Sequence, residues 1–263
     1  MNRPPRAAYL ITLLGALYFL VPLIATVEFS LRQGHGRYGL SSYGDVFRDP
    51  DFRHYALKSL LLAAETTTAG IALLLPTAFW VHLRLPRLRG VMETLTILPF
   101  VVPPIVLVVG LERQFRDAPA WVTPDRELVG AYVILAFPYI YRSLDSGLRA
   151  VDLRTLVEAS QSLGAPTWKT LLLVIVPNLR AALLSAALLS ITLVLGEFTI
   201  ASLLLDKTFP TYISGVGLQD PFKSTALTVI AFASTFVGML ALILLTRSRR
   251  LPAATRVGPG GAV

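Results

Sequence analysis

The chain has no cysteine and little charge: of its 263 residues, only 15% are Asp, Glu, Lys or Arg. The lack of cysteine excludes structural disulfides, thiolate metal sites and cysteine nucleophiles. The shortage of charge is more informative, because a soluble domain carries about 25% charged residues to cover its water-facing surface. With 54% apolar residues the composition argues against an ordinary soluble enzyme. Acids are scarcer than bases, 16 against 24, for a net charge of +8. In a hydrophilic chain that excess points to nucleic acid. In an apolar chain it reads as bases gathered on one side of a membrane, and no nucleic-acid partner is expected.

What the sequence does have is long apolar runs. A bilayer core takes about 20 apolar residues in helix, and six windows of that kind lie near residues 8–29, 55–83, 91–111, 128–144, 171–205 and 224–246. The first follows a short basic leader. Its apolar run exceeds the ~7–15 residues of a signal-peptide core and no small-residue cleavage site closes it, so it is read as a retained helix. The fifth is too long for one straight crossing, so part of it is expected outside the bilayer or kinked at Pro177. With the first residues placed in the cytoplasm, the inner segments hold 14 bases against 4 acids, and the remaining segments 10 against 12. That asymmetry predicts both termini inside. The segment 247–263 reads as a basic tail rich in Gly and Pro. No tandem or inverted repeat is visible, which argues against a secondary transporter built from two related halves.

The longest predicted cytoplasmic segment, residues 145–170, runs into the fifth window. Across it stand Glu158-Ala159-Ser160, three residues, Gly164, nine residues, Val174, one residue, and Val176-Pro177. This resembles the EAA motif of ABC importer permeases, in which E-A-A, three residues, G, nine residues, I, one residue and L-P recur. Ser160 replaces the second Ala, Val174 the Ile and Val176 the Leu. The third window, LPFVVPPIVLVVGL, also looks like its counterpart in polyamine, sulfate and molybdate permeases. The resemblance implies an all-α, six-span type I ABC importer permease, a single transmembrane domain with a cytoplasmic coupling helix, most like the spermidine/putrescine type.

The residues read locally in the same sense. A short helix from Arg154 to Leu163 can lie across the cytoplasmic face, with small Ala159 and Ser160 allowing a partner to approach. Gly164 lets the chain turn, Pro166 stops simple continuation, and Thr167 is expected to cap the next helix. By the resemblance, Glu158, Ala159, Ser160, Gly164 and Pro177 couple the chain to a pair of ATPase subunits. A second permease, identical or homologous, and an extracytoplasmic substrate-binding protein complete the expected partners, with the lipid bilayer around them. The run Gly164 to Thr170 has some likeness to a P-loop, but Trp168 stands where a second Gly must admit phosphate. The chain is therefore expected to hold no nucleotide, cofactor or metal of its own, and not to be an enzyme, with ATP and Mg²⁺ handled in the partner.

Glu65 and Glu197 fall within predicted spans, where an ionised group is costly and a functional candidate. Paired in a shared cavity they would attract a cation, and together with Gly196 and Pro103 they form the predicted substrate pathway. Gly196 offers a point of helix relaxation or close packing. Pro99, Pro103 and Pro104 interrupt the third span, as a pathway-lining bend or a packing kink. His35, His54 and His82 lack metal-ligand spacing. The expected function is an ATP-driven importer in the cell (plasma or inner) membrane, carrying a polyamine or other small polar cation by alternating access. The alternative is a stand-alone carrier or channel using Glu65 or Glu197 as a cation or proton site.

Overall fold

The computed structural model describes residues 6–33, 37–116, 119 and 123–247. The first helix, α1 (Arg6–Ser30), exposes leucine, isoleucine and aromatic side chains all round, and none of its apolar stretch is buried within the chain. A helix apolar on every face suits lipid rather than water. A two-residue antiparallel ribbon, β1 (Arg32–Gln33) and β2 (Arg37–Tyr38), turns the chain into α2 (Ser41–Arg48). Asp49 then starts α3 (Pro50–Leu83), its carboxylate accepting from Asp51 N at 3.0 Å while Pro50 takes the first turn, where no amide is needed. At 34 residues, α3 is about 51 Å long, more than the ~30 Å of a bilayer core, so it projects beyond it.

A 3₁₀ turn (Pro86–Leu88) leads into α4 (Arg89–Leu95) and α5 (Leu98–Val101), and Pro103 separates them from α6 (Pro104–Phe115). Thr123 caps α7 (Pro124–Arg149), followed by α8 (Leu153–Ser162), α9 (Thr167–Lys169), a π-helical stretch (Thr170–Ile175) and α10 (Val176–Asn178). The chain ends in α11 (Arg180–Leu195), α12 (Thr199–Leu203), α13 (Phe209–Gly217) and α14 (Pro221–Arg247).

The centre is a three-helix contact of α3, α7 and α11. Buried side chains of α7 recur at Leu128, Ala131, Tyr132, Ala136, Ile140, Leu144 and Leu148, a helical stripe turned inward. Two glycines bring the axes close. A Cβ on Gly70 of α3 would lie 2.5 Å from Ile140 Cδ1 of α7, and one on Gly147 of α7 would collide with the Cβ of Ala182 on α11. Lipid is as apolar as leucine, so helices in a bilayer are held by such close contact and by interhelical hydrogen bonds. One of these is Thr67 Oγ1 to Ser190 Oγ, 3.1 Å and buried.

The six-span expectation meets three differences. Among the described residues, four helices are long and apolar enough to cross a membrane: Tyr9–Ser30, Pro50–Leu83, Arg180–Leu203 and Pro221–Ala241. The predicted span 91–111 is not one helix but a pair bent by 99° at Val102-Pro103, because two adjacent prolines supply no amides and restrict the residue before them. Counted as one broken span it raises the number to five. The predicted span 128–144 lies within α7, which is long enough but carries tyrosines, Pro138 and charged ends. Packed between α3 and α11, it faces protein more than lipid and needs less apolar surface. The predicted span 171–205 is divided, with breaks at Leu179 and at Gly196–Phe198. Residues 1–5 of the predicted leader (residues 1–6) and all but Arg247 of the predicted tail lie outside the described residues.

At the end of the bundle where α3 begins, polar contacts replace small residues. Asp49 Oδ2 receives Lys223 Nζ at 2.7 Å and the Tyr212 hydroxyl at 2.8 Å, tying α2–α3 to α13 and α14. The Ser59 hydroxyl accepts from Phe209 N at 2.8 Å. The Lys223 ammonium, then Tyr212 and the Asp51 amide, hold the Asp49 carboxyl below its usual range despite partial burial.

Two predictions follow from this packing. Gly147→Val should cost about 1–3 kcal/mol by overpacking against Ala182, read as a lowered melting temperature in detergent, whereas Gly130→Ala on the same helix meets nothing within 4 Å and should leave it unchanged or higher. Because the folded carboxyl titrates below its unfolded counterpart, the Asp49 contribution is complete above about pH 4 and is lost as the pH falls through the lowered folded value. Thermal melts between neutral and strongly acid pH should therefore diverge least from wild type, for Asp49→Asn, at the acid end.

Candidate functional site

Two helix ends with unusual backbone define the candidate site, one at each side of the bundle. The first is α8 and the turn after it. Asp152 starts α8 by accepting from Thr155 N at 3.3 Å and Thr155 Oγ1 at 2.8 Å, and those donors hold its carboxyl below the ordinary range. Leu153, Val157 and Ser160 point into the bundle, and Glu158 and Ala159 are exposed on the other side. The helix ends in a Schellman turn, with Gly164 N donating to Gln161 O at 2.8 Å and Ala165 N to Ser160 O at 3.1 Å. Gly164 sits at φ +80°, in the left-handed region that only glycine enters without cost. A Cβ there would meet nothing within 4 Å, so the demand is set by the backbone and not by crowding.

The return from this turn is anchored by Ser160. Its hydroxyl is 2.8 Å from Thr170 Oγ1, both buried, which joins α8 to the π-helical stretch. Ser160, which stands where the motif has alanine, therefore makes a bond alanine lacks. Thr167 does not cap the next helix: Pro166 is the cap residue and no side chain bonds there. Pro177 explains the π-helix. Without an amide and in conflict with the carbonyl four residues back, it displaces the hydrogen-bond frame upstream, while Asn178 Nδ2 donates to Val174 O at 2.7 Å.

The same end is braced by ion pairs that no motif announces. His82 at the end of α3 donates from Nδ1 to Ala78 O at 2.9 Å and presents Nε2 to Asp145 Oδ1 at 3.0 Å. Asp145 also meets Arg149 Nε at 2.9 Å, and Arg149 reaches Glu93 of α4 at 3.0 Å. The sequence assigned His82 nothing, because Asp145 lies 63 residues away on another helix. His35 lies outside the described residues, and among the described ones no group of three or more His, Asp or Glu is placed to hold a metal.

The second unusual end is the break between α11 and α12. Gly196 ends α11, and Glu197 accepts from Ile200 N at 2.8 Å and Ala201 N at 3.3 Å, so both its oxygens serve the first turn of α12. After α12 comes another Schellman turn, Leu205 N to Ser202 O at 3.3 Å and Asp206 N to Ala201 O at 2.9 Å. Here the left-handed residue is Leu205, at φ +56°, which costs about 1–2 kcal/mol relative to glycine. Glu65 is exposed on the outer face of α3, with Leu61 and Leu73, and no hydrogen bond or ion pair joins it to Glu197. Pro103 caps α6 at the 99° bend and is exposed.

The family described as "binding-protein-dependent transport system inner membrane component" matches residues 67–251, well over half of the chain. The chain belongs to this family. It is therefore an inner-membrane permease component of an ABC transporter, located in the plasma membrane and working with an ATPase and a substrate-binding protein. ATP hydrolysis occurs in the partner ATPase and not in the permease. A stand-alone carrier or channel is not favoured. The putrescine transport system permease protein PotI of Escherichia coli K12 is 28% identical over 87% of this chain and 80% of its own length. The molybdenum transport system permease protein ModB of Azotobacter vinelandii is 28% identical over 61% of this chain and 76% of its own. A probable sulfate transport system permease protein cysT of Chlorella vulgaris is 31% identical over 42% of this chain and 45% of its own.

The α8 turn of this permease makes a local prediction. Gly164→Ala should destabilise the turn by about 1–2 kcal/mol, and Ser160→Ala should remove the buried bond between α8 and Thr170. Amide hydrogen exchange across residues 160–170 should accelerate by about tenfold for each, with exchange in α7 unchanged.

Proposed function

We propose that α8 is the coupling helix of this permease, docking its Glu158–Ala159 face on the ATPase subunit, and that the chain imports a small polar cation of the polyamine kind. The observation that carries the coupling role is the division of α8 into two faces. Leu153, Val157 and Ser160 tie it to the bundle, while Glu158 and small Ala159 stay exposed beside the exposed Leu163 and Trp168. A short rigid helix held at both ends, by Asp152 at its start and the Gly164 turn at its close, transmits displacement as a rigid body. The Ser160–Thr170 bond passes that displacement to the helices beyond Pro177.

The base-rich end carrying α8 faces the cytoplasm, with both termini inside. Exposed Glu65 supports a second permease, identical or homologous, over the outer face of α3, since an ionised carboxylate facing lipid is costly. Gly196 and Pro103 mark the two backbone breaks nearest that pathway. ATP and Mg²⁺ bind the ATPase pair, whose closure draws the two α8 helices together and opens the pathway outward; hydrolysis resets it. Each ligand then acts by preferring one of two states. The cationic cargo is supported by the acid-rich outer end of the bundle and by the kinship with the putrescine permease.

Ala159→Trp tests the coupling role without touching the buried face. It should abolish co-purification of the ATPase subunit, or slow transport-coupled hydrolysis about thirtyfold or more, the rate equivalent of about 2 kcal/mol, while the permease itself stays folded by thermal melt. Unchanged assembly and coupling would reject the role of α8.

A further inference from the structure

The pair His82–Asp145 joins the end of α3 to α7 at the α8 end of the bundle, and its chemistry depends on a proton. The His82 side chain is only 3% exposed and that of Asp145 18%. Ring nitrogen Nδ1 lies 2.9 Å from Ala78 O, a carbonyl that can only accept, so Nδ1 carries a hydrogen. Nε2 then stands 3.0 Å from Asp145 Oδ1, a second acceptor. These two atoms are not aligned as a hydrogen bond and neither has a partner elsewhere, so what acts between them is charge. A ring with hydrogen on Nδ1 alone turns the Nε2 lone pair towards the carboxylate, which is repulsive. A second hydrogen on Nε2 makes the ring an imidazolium and converts the same contact into an ion pair. Burial limits the screening of either one by water.

The surroundings leave the outcome to the ring. On α7, Arg149 Nε takes Asp145 Oδ2 at 2.9 Å, and Tyr141 adds a buried hydroxyl without a hydrogen-bond partner. From α4 come Glu93, which Arg149 reaches at 3.0 Å, and Arg89, in the same electrostatic neighbourhood as Tyr141 and Asp145. Asp145 and Glu93 balance Arg89 and Arg149, so the charge of His82 sets the local sign. Beyond the end of α3, Arg84 lies over the Trp80 ring, 4.9 Å from its centre. Arg87 of the 3₁₀ turn and Arg180 of α11 are exposed, and α8 turns Leu153, Val157 and Ser160 inward, none of them charged. Val81 and Leu144, which adjoin the pair in sequence, belong to the same apolar cluster as Leu153 and Val157. A change in the α3–α7 contact therefore reaches the platform on which α8 rests.

We propose that His82 and Asp145 form a proton-operated latch between α3 and α7. With the imidazolium the latch is closed and stiffens the end of the bundle that carries α8; with the neutral ring it opens and lets the two helices part. Closure is complete while the ring is charged and is lost as the pH rises through its titration. The permease thereby senses the proton concentration on the α8 side of the membrane. This goes beyond the coupling reading and does not depend on the cargo.

The test uses the full-length permease in lipid nanodiscs. Because the chain has no cysteine, Leu85→Cys and Ala150→Cys, exposed just beyond α3 and α7, take a pair of spin labels without a competing thiol. Between about pH 6 and about pH 8.5 the population held at the short, narrow distance should fall about threefold or more, the scale of one ion pair. Nitrogen-15 NMR of the three histidines, with His82→Gln to identify the signal, reads the ring itself. Both nitrogens of His82 should be protonated where the distance is narrow, and Nδ1 alone where it is broad. His82→Gln and Asp145→Asn, one on each side of the contact, should each abolish the pH dependence, so the test survives if either variant fails to fold. A distance that does not respond to pH in the labelled parent overturns the latch. So does a response that persists in both variants, or a His82 ring protonated on one nitrogen at every pH. Neither readout uses the ATPase, so failure of the α8 docking role leaves this result standing.

Discussion

Close approach of α3, α7 and α11 is the constraint on which the other features depend. It exists because Gly70 leaves room for Ile140 and Gly147 for Ala182, in a solvent that gives apolar helices no reason to associate except contact itself. Once those axes are drawn together, α7 becomes the protein-facing centre and tolerates tyrosines and charges that a lipid-facing helix does not. Both ends of the triplet then become fixed platforms. One carries α8 and the other an open cleft, separated by roughly the 51 Å of α3.

The two platforms are built by the same device in opposite states of relaxation. Each helix before the turn ends in a Schellman motif followed by a residue of positive φ, glycine at 164 and leucine at 205. At the α8 end the turn is unstrained and the surrounding contacts are many: Ser160 with Thr170, His82 with Asp145, Arg149 with Glu93. That rigidity is what the coupling role proposed for α8 calls for. At the other end the turn is strained and Asp206 Oδ2 is left without a donor.

Much of this was legible along the chain, for a physical reason in each instance. The apolar windows followed from the length needed to cross a bilayer, and the residues that carry the EAA-like spacing fall on α8 and the turn after it because that pattern spans short sequence separations. Gly164 was legible because a positive φ leaves a residue signature. The bend at Pro103 was legible as an interruption, since proline acts on its own backbone, but its 99° was not. Glu197 was read as an ionised group within a span that shares a cavity with Glu65, whereas it closes the first turn of α12 with both oxygens. Its role depends on where the helix breaks, and Gly196 marked that place only as one of two readings, relaxation or close packing. The span 128–144 was counted as if every helix met lipid, a condition that α7, at the centre, does not share.

Composition and spacing by themselves determined that the chain is an all-α membrane protein and which segment carries the EAA-like spacing, because hydropathy and backbone turns are properties of neighbouring residues. Tertiary structure alone decided which helices face protein and which face lipid, that Ser160 bonds Thr170 where the motif has alanine, and that His82 meets Asp145. It also decided that Asp49, Asp206, Tyr55 and Tyr212 share one cleft. These residues lie up to 163 positions apart, and charge or aromaticity acquires a function only when packing sets such groups within a few ångströms of each other.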